Sequence, residues 1–141
     1  FEIILPAGRW QEPAPGVAHL ASKMLFEGTK THSATEIADI ISFYGASLPC
    51  QANGDWATIT LYCLARHFEP LVKLLEELLT ESVFPGSEYK QQHTRTAPNI
   101  AVERQKNSYR AGEELTRLLF GDTHPYSTKV EPADVERAKL E

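Results

Sequence analysis

The groups in this chain that could carry chemistry are few and widely spaced: five histidines, at His19, His32, His67, His93 and His124, and two cysteines, Cys50 and Cys63. No two histidines stand three or four residues apart, so no helix offers two imidazoles to one metal ion. His32, His67, His93 and His124 read as turn or surface residues, and Glu76-Glu77 as a solvated helix face. His19 lies on a helical stretch without a partner histidine and reads as a buried or hydrogen-bonded helix residue. No G-x-S-x-G elbow, Walker-type loop or Rossmann glycine pattern is present. The cysteines flank Asn53-Gly54, a strong short hairpin signal, between strands expected at Ala46 to Ala52 and Asp55 to Leu64. A two-residue Asn53-Gly54 loop sets Ala52 opposite Asp55 and Cys50 opposite Ala57. Cys63 then lies six residues further along, roughly 20 Å from Cys50 at about 3.3 Å per residue. A disulfide needs Cα atoms within about 7 Å, so none is expected and the cysteines indicate no compartment.

The elements that must position these groups belong to a chain of 141 residues with 14 Lys+Arg against 19 Asp+Glu, a net charge of −5. Its 42% hydrophobic and 23% charged content is that of a globular domain, which excludes wholesale disorder. The acidic balance argues against nucleic-acid binding, because phosphate recognition wants a basic surface. Apolar runs of only a few residues cannot span a bilayer. The chain opens on Phe1-Glu2-Ile3-Ile4-Leu5, a strand already under way, so it reads as a piece of a longer protein whose leader is unknown.

After that strand come a Pro-rich turn from Gln11 to Gly16 and a helix from about Val17 to Phe26, with Gly28 ending it. Ser33-Ala34-Thr35-Glu36 is a capping box, followed at helical spacing by Ile37, Ile40, Ile41 and Tyr44 up to Gly45. In the hairpin, Leu48, Cys50 and Ala52 share a face with Ala57, Ile59, Leu61 and Cys63, while Trp56, Thr58, Thr60 and Tyr62 take the other. A third helix starts near Phe68 with an apolar stripe of Leu71, Leu74, Leu75, Leu78 and Leu79. Ser87 is expected to cap a long helical region reaching Phe120, kinked or broken at Pro98 and ended by Gly121. Pro132 opens a last short helix. The fold class is α+β, a mainly antiparallel sheet with helices on one face.

One stretch, Gly16-Val17-Ala18-His19-Leu20-Ala21-Ser22-Lys23-Met24-Leu25-Phe26-Glu27-Gly28-Thr29, resembles the signature of the pitrilysin/insulinase family of zinc peptidases. That family includes the mitochondrial processing peptidase. In it a glycine-led helix carries H-x-x-E-H, and an apolar stretch leads to Gly-Thr. The resemblance continues through Ser33 to Ala46, the hairpin, Leu71 to Pro85 and the Phe120-Gly121-Asp122-Thr123-His124-Pro125-Tyr126 loop. It implies the LuxS/MPP-like metallohydrolase fold, with residues 1–141 forming part of one pitrilysin-like domain that lacks its first strand or strands and its C-terminal part.

In active members the two histidines hold zinc from one helical face, the glutamate takes a proton from zinc-bound water, and a glutamate on a later helix is the third ligand. Here His19 matches the first histidine. Ser22 stands in place of the general base, and a hydroxyl cannot hold a proton at neutral pH. Lys23 replaces the second histidine, and an ammonium has no lone pair for a metal. The distal ligand matches Glu103, eighty positions after Lys23. Thr96 occupies a position, two turns earlier, where some active members carry another acid.

His19 and Glu103 alone are too few for a tetrahedral zinc site, so no catalytic residue, cofactor or metal is expected. Lys23 either pairs with Glu103 across the former metal site or is a solvated cation, with Glu103 then a surface carboxylate near Arg104 and Lys106. The resemblance implies a non-catalytic subunit or half-domain that docks onto an active zinc-peptidase subunit, or onto the second half of its own chain, and helps bind polypeptide. The alternatives are an active zinc endopeptidase with rearranged ligands and a purely structural subunit like the respiratory-complex core proteins. If the alignment is right, Glu103 lies close to His19 or Lys23 in space.

Overall fold

A computed structural model describes residues 1–127 and 130–137. Strand β1 (Glu2–Leu5) is followed by helices α1 (Val17–Met24) and α2 (Ala34–Phe43), strands β2 (Cys50–Ala52) and β3 (Ala57–Thr60), and helices α3 (Phe68–Glu81), α4 (Gly86–Glu103), α5 (Asn107–Phe120) and α6 (Pro132–Arg137). The strands form one antiparallel sheet in the order β1-β3-β2. The α+β class and the alternation of faces along the hairpin are as expected: Leu48, Cys50, Ile59 and Leu61 are buried, and Trp56 and Tyr62 are exposed.

The hairpin register differs from the expected one. Ala52 pairs with Ala57 and Cys50 with Ile59, and the Asn53 amide donates to the Trp56 carbonyl at 2.8 Å, so the two-residue loop is Gly54-Asp55. A shift of two residues leaves every side chain on its own face. The cause is tertiary. The segment after β1 docks on the hairpin tip, where the Arg9 amide donates to the Asn53 carbonyl (2.9 Å) and the Trp10 amide to the Gly54 carbonyl (3.1 Å). From the other side the Tyr126 hydroxyl donates to Asp55 Oδ2 at 2.9 Å. Both cysteines are free thiols.

One core lies between the sheet and helices α2 and α3. It gathers Ile37, Leu48, Cys50, Ile59, Leu61, Leu71, Leu74, Leu75 and Leu78, with Leu25, Phe26 and Tyr44 packed against it. The capping box at Ser33 and Glu36 forms as the sequence predicts and sets the start of α2. The expected stripe on α3 needs one correction. Leu79 is 39% exposed, because it lies about 100° round the helix from buried Leu78 and off the arc that faces the sheet.

A second, smaller core joins Leu20 of α1, Ala97 of α4 and Val135 of α6, flanked by Val17, Tyr89, Ile100 and Val130. Here two expectations fail. Helix α4 starts at Gly86 after Pro85 with no side-chain cap, so Ser87 lies inside the first turn. Pro98 neither ends nor breaks α4, which runs on to Glu103; the interruption comes at residues 104–106. Pro98 removes one backbone hydrogen bond, but Thr96 and Ala97 beside it are buried, and that packing holds the helix through the gap.

The loop before α2 is tied down by a residue assigned from sequence to the solvated face of α3. Glu77 Oε1 accepts hydrogen bonds from the hydroxyls of Thr29 and Thr31 and meets His32 Nδ1 at 2.8 Å. Glu77 and His32 thus meet in one hydrogen-bonded cluster and are not two isolated surface groups. The Thr29 and Thr31 hydroxyls, then the His32 imidazole, hold the Glu77 carboxyl down to about 2 from an ordinary 4.5. A carboxylate with a depressed folded pKa stabilises the fold fully above pH 4.5, and that contribution is lost as pH falls toward 2. Glu77→Gln should therefore flatten the acid side of a stability–pH curve measured by denaturant unfolding.

Gly8 is buried in the segment after β1, which crosses the hairpin tip as a strap. A Cβ there would meet the Asp55 carbonyl carbon and the Gly54 oxygen at 2.5 Å, both of them backbone atoms that cannot swing away. Gly8→Ala should destabilise the fold by about 1–3 kcal/mol, visible as a lowered thermal midpoint.

Candidate functional site

The site is built where α1 meets α4. Helix α1 begins at Gly16, which is buried with φ +92°, a left-handed conformation that glycine adopts without strain. Its first turn is closed by Glu12, whose Oε1 accepts from the Gly16 amide (3.2 Å) and Oε2 from the Ala18 amide (2.9 Å). Sequence reading passed over Glu12 because it sits in the Pro-rich turn four residues before the glycine. An acid a few residues ahead of a helix start was the available signal.

From this start the helical period distributes the degenerate motif. Leu20 and Met24 face inward, while His19 and Lys23, one turn apart, line a cleft of about 420 Å³. The opposite wall comes from α4, with Thr96, Asn99 and Glu103. His19 and Lys23 therefore share one cavity with Glu103, eighty or more positions further along, and α1–α4 packing through Leu20 and Ala97 is what brings them together.

Each replaced residue has a definite environment. Ser22 is 8% exposed and its hydroxyl donates to the His19 carbonyl at 2.7 Å, so it turns back onto its own helix. Lys23 is exposed and forms no ion pair with a described residue. Of the two arrangements open from sequence, the solvated one is found: Glu103 pairs with Lys106, one turn ahead. Thr96 is buried and donates to the Gln92 carbonyl at 2.7 Å. Half-buried His19 resists protonation, first through desolvation and second through the charge of Lys23, so its pKa lies below the usual 6.5.

These residues do not fit zinc. Among the described residues no three His, Cys, Asp or Glu side chains gather closely enough to hold a metal ion. The cleft offers one imidazole and one carboxylate already engaged by an ammonium, with a second ammonium on its wall.

The model of the insulinase family (peptidase family M16) matches residues 2–132. The chain belongs to this family. Its altered motif makes it a degenerate member. The crystal structure of a peptidase M16 inactive domain from Pseudomonas fluorescens superposes with a TM-score of 0.84 at 28% identity. That alignment covers 99% of this chain and 35% of the other, so the chain spans about a third of that protein's length. The search of curated proteins found no match. No helix among the described residues is long and apolar enough to cross a membrane.

A titration follows for the retained histidine of this insulinase-family chain. Because the unfolded chain takes up the proton more readily than folded His19, stability contributed here is present above pH 6.5 and falls as pH drops. Nuclear magnetic resonance should place the His19 midpoint below 6.5. Lys23→Gln should raise it without restoring the ordinary value, since burial is the larger cause.

Proposed function

We propose that this chain is a non-catalytic insulinase-family module that docks with an active family partner, a separate subunit or the other half of its own polypeptide, and helps hold a polypeptide substrate. The observation that carries this reading is the pair Ser22 and Lys23 on an otherwise well-formed α1. The helix, its glycine start and its contact with α4 are kept, while the base is replaced by a hydroxyl bonded to backbone and a ligand by a cation. A chain that needed only to fold would not need the cleft; a chain that catalysed would need the base. The name of the Pseudomonas fluorescens domain, itself called inactive, supports the same reading.

Docking draws support from α5. Leu115, Leu118 and Leu119 form a stripe at helical spacing, with Leu118 70% and Leu119 67% exposed. A contiguous apolar helix face of this kind is completed by further polypeptide.

The test is a pair of measurements on the full-length protein with its partner. Extended peptides should bind it, and His19→Ala should leave any zinc-dependent cleavage of them unchanged. Zinc-dependent cleavage abolished by His19→Ala would overturn the reading. A second measurement addresses the metal. Elemental analysis after dialysis against micromolar zinc should find none at this site, whereas Ser22→Glu with Lys23→His should gain zinc by calorimetry and Ser22→Glu alone should not. Since Ser22 is buried, the larger side chain should cost about 1–3 kcal/mol of stability.

A further inference from the structure

We infer that the degenerate site is a carboxylate-binding subsite, in which Lys23 receives a carboxylate of an extended peptide. The inference rests on the peptide-binding reading above and names the group that this cleft selects. Its first ground is charge. In a chain of net −5, the cleft wall carries Lys23 as a cation that forms no ion pair with a described residue, while its acid, Glu103, is paired with Lys106. An anion entering here exchanges water for Lys23, and a charge-assisted hydrogen bond in a partly enclosed cleft is stronger than one on an open surface.

The second ground is shape. Arg9 and Tyr109 also line a neighbouring cleft of about 350 Å³, which continues along α5 past Gly112 and Thr116 to Tyr126. Gly112 meets nothing within 4 Å of its would-be Cβ, so the backbone of α5 is open to a ligand there. Two clefts sharing two wall residues suit an extended chain better than a compact anion, since an extended peptide advances about 3.3 Å per residue. The ligand is thus a peptide with its carboxylate at the α1 end of the run. That carboxylate is either the C-terminal group or an Asp or Glu side chain, and Lys23 meets the same chemistry in both.

The experiment uses the full-length protein and fluorescein-labelled extended peptides in two matched pairs. One pair ends in a carboxylate or a carboxamide; the other carries an internal Asp or Asn and ends in the amide. Fluorescence anisotropy gives the affinity ratio within each pair for wild type, Lys23→Gln and Lys23→Arg. Wild type should prefer the carboxylate of at least one pair by about tenfold, the scale of one charge-assisted hydrogen bond. The pair that shows the preference identifies the source. Lys23→Gln should bring the ratio to about one, and Lys23→Arg should keep most of it. A ratio near one in both pairs with wild type overturns the inference while leaving peptide binding standing. A ratio that persists in Lys23→Gln also overturns it. Binding of none of the four peptides overturns the peptide-binding reading itself, and this inference with it. Lys23 is exposed, so matching thermal melts of the variants should exclude misfolding as the cause.

Discussion

The small apolar contact of Leu20 with Ala97, closed over by Val135, is the constraint from which the site follows. It presses α1 onto α4 at a point where α4 presents only the small Ala97 to Leu20. Ala97 leaves room for Leu20, and the neighbouring Ile100 and Val17 complete the seal. With that contact fixed, the helical period does the rest. One step back from Leu20 on α1 is His19 and three forward is Lys23; one turn beyond Ile100 on α4 lies Glu103. The same residues that bury the core therefore determine which polar groups face one another across the cleft. This is why a chain can exchange the chemistry of such a site and keep its shape.

The exchange itself is an electrostatic substitution. In active family members a divalent cation neutralises the acids around it, whereas here the positive charge is carried by Lys23 on the helix. An ammonium at the end of a long side chain is solvated, mobile and unable to polarise a bound water as a metal does. Glu103 pairs with Lys106 instead, and burial, then the charge of Lys23, makes His19 harder to protonate. What the cleft retains is its shape and a cation on its wall. Around it, the strap over the hairpin tip and the Glu77 cluster act as clamps that hold the loops against the two cores. These polar ties lie where the chain leaves regular structure and where apolar burial alone would leave it loose.

Much of this could be read along the chain. The capping box at Ser33 and Glu36, the leucine stripe of α3, the alternation through Ile59 and Leu61 and the glycine-led helix at Gly16 are local signals, each resting on periodicity or on a cap within a few residues. That Ser22 and Lys23 stand where active members carry a base and a ligand is what the family resemblance implies, and a hydroxyl and an ammonium differ from those groups whatever the fold.

Other features were decided only in three dimensions. The hairpin loop moved to Gly54-Asp55 because Arg9 and Trp10 bond the tip and Gly8 lies flat against it, partners more than forty residues away in sequence. Helix α4 passed through Pro98 because burial of Thr96 and Ala97 outweighs one missing hydrogen bond, and propensity cannot foresee burial. Glu77 left the solvated face for Thr29, Thr31 and His32 because the loop before α2 folds back over α3. Lys23 and Glu103 line one cleft yet stay apart, because Lys106 is nearer on Glu103's own stretch of chain and satisfies it first. The sequence by itself determined most of the elements and their faces, since these rest on neighbours within one or two turns. The partners of its polar groups were set by tertiary structure, since a charge or a hydrogen bond is satisfied by whatever the packed core brings within about 3 Å.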